Sequence, residues 1–230
     1  MEIRPGLQQC ALPDRRLDEI RFTIDLPTTI ADGDPKPLVL ALHYGFDTQQ
    51  PFPPYYGRGI LDGLVSPAFA DLDAILVAPD SHGVFWTDAE QRDSVLAMLA
   101  QLRESLPVDG ERIAVVGYSL GGIGVWDWVQ SHPHLFGAAI AVSARADIAS
   151  IREFPPIPMR VVHSQRDELF AIADVRQTVS DLRDAGHDIH FDEVREATHF
   201  DVGGFVPAVT DAAKWLRGLW QDPGYKNRER

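Results

Sequence analysis

A serine set between glycines, where a strand should pass into a helix, is the first place to look for chemistry in this chain. Gly117-Tyr118-Ser119-Leu120-Gly121 reads G-x-S-x-G. It follows the apolar run 113–116 and precedes a helical pattern over 123–129, which is the context the motif requires. Such a turn is tight enough that side chains at Gly117 and Gly121 would strike neighbouring backbone. It should hold Ser119 in a strained conformation, with its hydroxyl at the carboxyl edge of a sheet. The Leu120 amide, at the start of the following helix, can donate to a developing oxyanion.

A nucleophilic serine needs a base, and the base needs an acid to orient it. Downstream of Ser119 lie His132, His134, His163, His187, His190 and His199. His199 follows the last strand-like run and precedes the final helix, where a loop can hang an imidazole over the sheet. His190 falls inside a strand, His187 in the turn entering it, and His132 and His134 at a helix end. His163 ends a strand but on the core side. His199 is therefore the expected base. For the acid, the buried run 159–162 leads through His163-Ser164-Gln165-Arg166 to Asp167 and Glu168. Asp167 is expected to be the acid, with Glu168 as its neighbour in competition and a helix cap near Ala171 as its structural alternative. The second oxyanion donor should come from the loop after residues 38–42, His43-Tyr44-Gly45-Phe46-Asp47. His43, at a strand end, is expected to be a hydrogen-bonded structural residue.

The elements that must position these groups can be read from periodicity. Continuous apolar runs at 38–42, 74–78, 113–116, 138–142 and 159–162 suit parallel strands buried on both faces. Residues 189–194 alternate, and so do 21–26, which read as an edge strand. Apolar spacings of three and four predict helices over 94–106, 123–129, 171–182 and 209–219. Strands alternating with helices imply an α/β fold with a mostly parallel central sheet and helices on both faces. The stretches 32–37 and 51–59 are loops, and no insertion is long enough for a cap domain. Residues 1–230 are expected to form one domain, with 222–230 as a polar, charged and flexible tail.

Composition narrows the class. The chain has 230 residues, with 21 Lys+Arg against 34 Asp+Glu, a net charge of −13 that would repel a phosphate backbone. No nucleic-acid partner is expected. Apolar residues make up 45%, enough to fill a core of this size. Cys10 is the one cysteine, so no disulfide and no cysteine-rich zinc site is expected. No basic-then-apolar leader opens the chain, and no apolar stretch approaches the ~18 residues that would span a bilayer. A soluble, cytoplasmic protein with no membrane partner is expected.

With these motifs the chain resembles the α/β-hydrolase superfamily, within it the small lidless esterases. These include the phospholipase/carboxylesterase, dienelactone-hydrolase-like and feruloyl-esterase/polyhydroxyalkanoate-depolymerase-like groups. The resemblance covers roughly residues 38–219. It is carried by 37–45, 86–93, 108–134 and 158–167, including Val108-Asp109-Gly110-Glu111-Arg112-Ile113 and Ser131-His132-Pro133-His134-Leu135-Phe136. It implies an α/β-hydrolase fold, Ser119 as nucleophile, Asp167 as acid and His199 as base. These families usually write His-Gly after the third strand. Here Tyr44 takes that glycine position, so Gly45 best matches the donor and Tyr44 comes second. Phe46, Trp86, Phe170 and Phe200 each lie beside a sheet-edge loop and would line a crevice for an apolar acyl or aryl group. The function expected is a serine carboxylic ester hydrolase acting on small, uncharged, short-chain or aryl esters. Thioester or peptide cleavage by the same triad is the alternative, and a silent ligand-binding module is the rival from another class. No metal or organic cofactor is expected.

Overall fold

The computed structural model describes residues 4–45, 53–83, 85–146, 148, 150–222 and 224–225. Strand β3 (Lys36–Leu42) explains the architecture, because all of its residues are buried. Leu38, Leu40 and Leu42 enter one core, and Val39 and Ala41 enter the other. Side chains alternate between the faces of a strand, so one that is apolar throughout must be covered twice. Strands β4 (Ile75–Pro79) and β6 (Ala138–Val142) are likewise buried along their whole length.

Together with β1 (Gly6–Asp14), β2 (Asp18–Leu26), β5 (Val108–Tyr118), β7 (Met159–Arg166) and β8 (Ile189–Thr198), they form an eight-stranded sheet. Its order is β1-β2-β4-β3-β5-β6-β7-β8. Pairings from β4 through β3 to β8 are parallel, and β1 and β2 join antiparallel at one side. Helices α3 (Ala89–Ser105), α4 (Leu120–Ser131) and α5 (Ile172–Asp184) cover one face. The other is covered by α6 (Val206–Gln221) and by α1 (Arg58–Ile60), which runs through a π turn, Leu61–Val65, into α2 (Ser66–Phe69). The Asp88 carboxylate caps α3 by accepting from the Glu90 amide at 3.2 Å. Among the described residues no separate cap domain covers the carboxyl edge, and no helix is long and apolar enough to cross a membrane.

One expectation is corrected here. Residues 21–26 do not form the edge; they belong to β2, and β1 lies outside them. Hydropathy hides β1 because its inward, half-buried positions include Gln8, while Leu7 and Ala11 point outward. Pro13 is tolerated there because an edge strand has a side with no ladder to complete. Strands β5, β7 and β8 also run further than their apolar cores, each ending one residue before Ser119, Asp167 or His199.

Candidate active site

Strand β5 ends at Tyr118, and α4 begins at Leu120. Ser119 is the hinge between them, at φ 54° and ψ −116°. That left-handed backbone is uncommon for a residue with a Cβ, so the strain expected of the turn is present. The turn holds because α4 approaches the end of β3 closely; a Cβ on Gly121 would collide with the Leu42 carbonyl. The Ser119 amide donates to the Val142 carbonyl at 3.0 Å, tying the turn to β6.

The hydroxyl of Ser119 lies 2.9 Å from Nε2 of His199, just past the end of β8. The imidazole is fixed from three sides. Its Nδ1 faces Asp167, with Oδ2 at 2.9 Å and Oδ1 at 3.0 Å. The His199 amide donates to Glu168 Oε2 at 2.6 Å, and the Tyr118 hydroxyl donates to the His199 carbonyl. Burial raises the Tyr118 pKa, so that phenol stays a donor at any ordinary pH. Glu168 thus holds the backbone of His199, and Asp167 meets its ring.

Asp167 follows β7, and its side chain is sealed from solvent. Burial alone would raise its pKa. Hydrogen bonds from His199, Ser143 and the Phe170 and Leu169 amides outweigh it and hold the carboxyl well below the usual range. The amides reach Oδ1 at 2.8 and 2.9 Å, forming a turn ahead of α5. The cap position of α5 is Ala171, with no side-chain cap, so Asp167 does not cap that helix. Behind it, fully buried His163 donates from Nε2 to the Phe170 carbonyl at 2.9 Å. Burial lowers the His163 pKa, which keeps that ring neutral.

Ser143 was not singled out from the sequence. It directly follows β6 and meets both Asp167 and His199. No motif marks it. The available signal was its place after the strand next to the Ser119 strand.

Ser119 and His199 form the floor of a cleft of about 680 Å³. Phe170, Phe200, Tyr44 and Tyr56 contribute its walls. Tyr56 is pushed by burial to a pKa of about 12 and presents a neutral ring. None of the lining residues described carries a permanent charge. Gly45 and Leu120 also lie on the cleft and touch: a Cβ on Gly45 would run into the Leu120 side chain. The Tyr44 ring packs edge-on against Tyr56 and Tyr118, and its hydroxyl lies beside Gly59 of α1. Phe46 falls outside the described residues.

Trp86 requires correction. It was expected on the crevice wall but is 1% exposed and lies in the core beneath α4. Its Nε1 donates to the His43 carbonyl at 2.8 Å, and its ring packs against Trp128. A loop aromatic can turn toward the cleft or under the helix, and the indole N–H found its acceptor below. His43 is structural, as expected: Nδ1 donates to the Tyr44 carbonyl at 2.8 Å, and Nε2 accepts from the Ser81 amide at 3.0 Å.

The arrangement can move a proton. Ser119 can release its proton to Nε2 while Nδ1–H stays bonded to a carboxylate that remains ionised. Among the described residues no group of three or more His, Cys, Asp or Glu is placed to hold a metal ion.

Residues 85–158 match the model of the prolyl oligopeptidase family, a stretch that includes Ser119 but neither Asp167 nor His199. No curated protein sequence matches the chain. Among solved structures, a thermostable esterase superposes with a TM-score of 0.75 at 23% identity, over 92% of this chain and 62% of its own length. The chain thus spans under two thirds of that esterase. The fluorophosphonate-binding serine hydrolase FphF of Staphylococcus aureus superposes with a TM-score of 0.74 at 12% identity, covering 93% of this chain and 99% of that one. A ferulic acid esterase gives 0.71 at 18% identity, with coverages of 93% and 97%. The fold is that of the α/β-hydrolases.

Proposed function

We propose that the protein is a serine hydrolase that cleaves small, uncharged carboxylic esters with short or aryl acyl groups. One observation carries the reading: Ser119 Oγ, His199 and Asp167 form an unbroken hydrogen-bonded line at the floor of an apolar, aromatic-walled cleft. Ser119 Oγ attacks the ester carbonyl carbon as its proton passes to His199 Nε2. The carbonyl oxygen takes up the negative charge, and the amides of Leu120 and Gly45 donate to it. Collapse breaks the bond to the alcohol, which leaves with the proton from Nε2, and the acyl group remains on Ser119. Water then enters, gives a proton to Nε2 and attacks the acyl carbon. The acid departs as the proton returns to Ser119. Asp167 stays ionised throughout and keeps Nδ1 protonated. Tyr44 serves as a wall, since its hydroxyl lies against Gly59.

A fluorophosphonate probe should label the wild type on Ser119 and leave Ser119→Ala unlabelled. On a p-nitrophenyl ester series, kcat/KM should favour acetate, butyrate and benzoate over long acyl chains. A wild type that neither takes the label nor turns over these esters refutes the proposal. The match to the prolyl oligopeptidase family favours a second reading, cleavage of a peptide bond by the same groups. Faster turnover of a prolyl p-nitroanilide than of any ester would establish it.

A further inference from the structure

Ser143 touches both partners of the Ser119 relay although it is fully buried. Its hydroxyl donates to Asp167 Oδ2 at 2.5 Å, and its Oγ stands 3.1 Å from His199 Nδ1. With its hydrogen committed to the carboxylate, Oγ turns a lone pair toward the Nδ1–H that His199 also offers to Asp167. The hydroxyl therefore closes a triangle between the acid and the base. The two carboxylate oxygens are anchored differently. Oδ1 is held by the Leu169 and Phe170 amides of its own loop and also stands 3.0 Å from His199 Nδ1. Oδ2 bonds to His199 and to Ser143, which is brought by a different strand. His163 stands 3.6 Å from Oδ2, but its Nε2 hydrogen is already given to the Phe170 carbonyl. Without Ser143 the carboxylate could pivot about Oδ1 and carry the imidazole with it.

The backbone adds an independent sign. Ser143 sits at φ 49°, in the left-handed region that glycine enters freely and residues with a Cβ do not. Its amide is tied to the Val162 carbonyl at 2.8 Å, which fixes that conformation. A glycine would suit this backbone better, so the side chain must supply the advantage. Strain held in place beside reacting groups points to a role in their chemistry.

We propose that Ser143 is a positioning residue that locks the Asp167 carboxylate against the His199 imidazole, so that Nε2 stays aimed at Ser119 through acylation and deacylation. The proposal rests on the reading of Ser119, His199 and Asp167 as the catalytic relay. Ser143→Gly and Ser143→Ala test it. In Ser143→Gly the backbone strain and the hydroxyl disappear together, so its melting temperature should stay within about 5 °C of the wild type. Its kcat on p-nitrophenyl acetate should nevertheless fall about tenfold to a hundredfold, with KM within about twofold. Labelling of Ser119 by the fluorophosphonate should slow in parallel, and Ser143→Ala should behave alike in kcat. Folded variants with kcat within twofold of the wild type overturn the proposal. So does failure of both to fold, which would make Ser143 a residue of the fold alone. A wild type that neither labels nor turns over brings down the esterase reading with it, whereas a labelled wild type with unaffected variants overturns only the role of Ser143.

Discussion

His43 and His199 begin alike: each stands past the carboxyl end of a parallel strand, each is buried, and each ring packs on a tyrosine of one aromatic cluster, His43 on Tyr56 and His199 on Tyr118. Their nitrogens separate them. Both nitrogens of His43 are used up by backbone, one by the Tyr44 carbonyl and one by the Ser81 amide. Burial pushes this ring down to about 4, so it stays neutral and braces the loop that carries Tyr44 and Gly45. His199 meets side chains instead, a hydroxyl on Nε2 and a carboxylate on Nδ1. Burial does not make a histidine a base. What matters is that its partners can change their proton count.

The sharpest way to break this comparison is to delete each ring. His199→Ala should lose about 10⁴-fold or more in kcat while folding normally, as removal of a triad member does elsewhere. His43→Ala should reverse the pattern. It should lose about 2–4 kcal/mol of stability through the cavity and two unpaired backbone groups, yet keep kcat within about tenfold in the folded fraction. Ester hydrolysis and urea titration of both variants check this, and equal kinetic losses would erase the distinction. Asp167→Asn comes next, with an expected loss of about 10³–10⁴-fold in kcat because the amide can donate to Nδ1 and favour the wrong tautomer. A loss under tenfold would move the acid's role to Glu168.

Acid exposes the structural histidine. Above the ordinary value of 6.5 the folded and unfolded chains both carry His43 uncharged. As pH falls from 6.5 toward 4 the unfolded chain binds a proton that the folded chain refuses, and stability drops by about 3 kcal/mol over that window. Asp167 acts in the same direction further down. Its depressed folded-state value adds stability that is present above the usual carboxylate range and lost as pH falls through and below it. Urea midpoints at pH 7 and 4.5 should show the His43 loss, and it should shrink in a His43→Asn variant. A variant with the full drop would put the acid sensitivity elsewhere. The smallest effect is expected from Tyr44→Phe, under about threefold in kcat. A loss beyond about fiftyfold at unchanged melting temperature would make the phenol an oxyanion donor after all.

Much of this arrangement is legible in the sequence. Ser119 and Asp167 follow apolar runs and His199 an alternating one, each long enough to identify as a strand, and polar residues just past parallel strands gather at one edge. Ser143 also follows such a run, but nothing in a lone serine announces a left-handed backbone or a carboxylate across the sheet. Trp86 failed for a different reason: loops have no periodicity to say which way a ring turns, and its direction was decided by the His43 carbonyl. Strand β1 escaped because half-buried edge positions do not demand apolar residues.

The sheet order has a temporal consequence. Ser119, Ser143, Asp167 and His199 follow β5, β6, β7 and β8, four strands that are neighbours in that same sequence across the sheet. The contacts among them span 24, 32, 56 and 80 residues, so none can form by local zipping. A refolding chain with native helices and β8 undocked would contain every reactive group yet have no working relay. Regained hydrolysis should therefore lag behind helical circular dichroism and report the docking of β8, making the activity a clock for the long-range step of assembly.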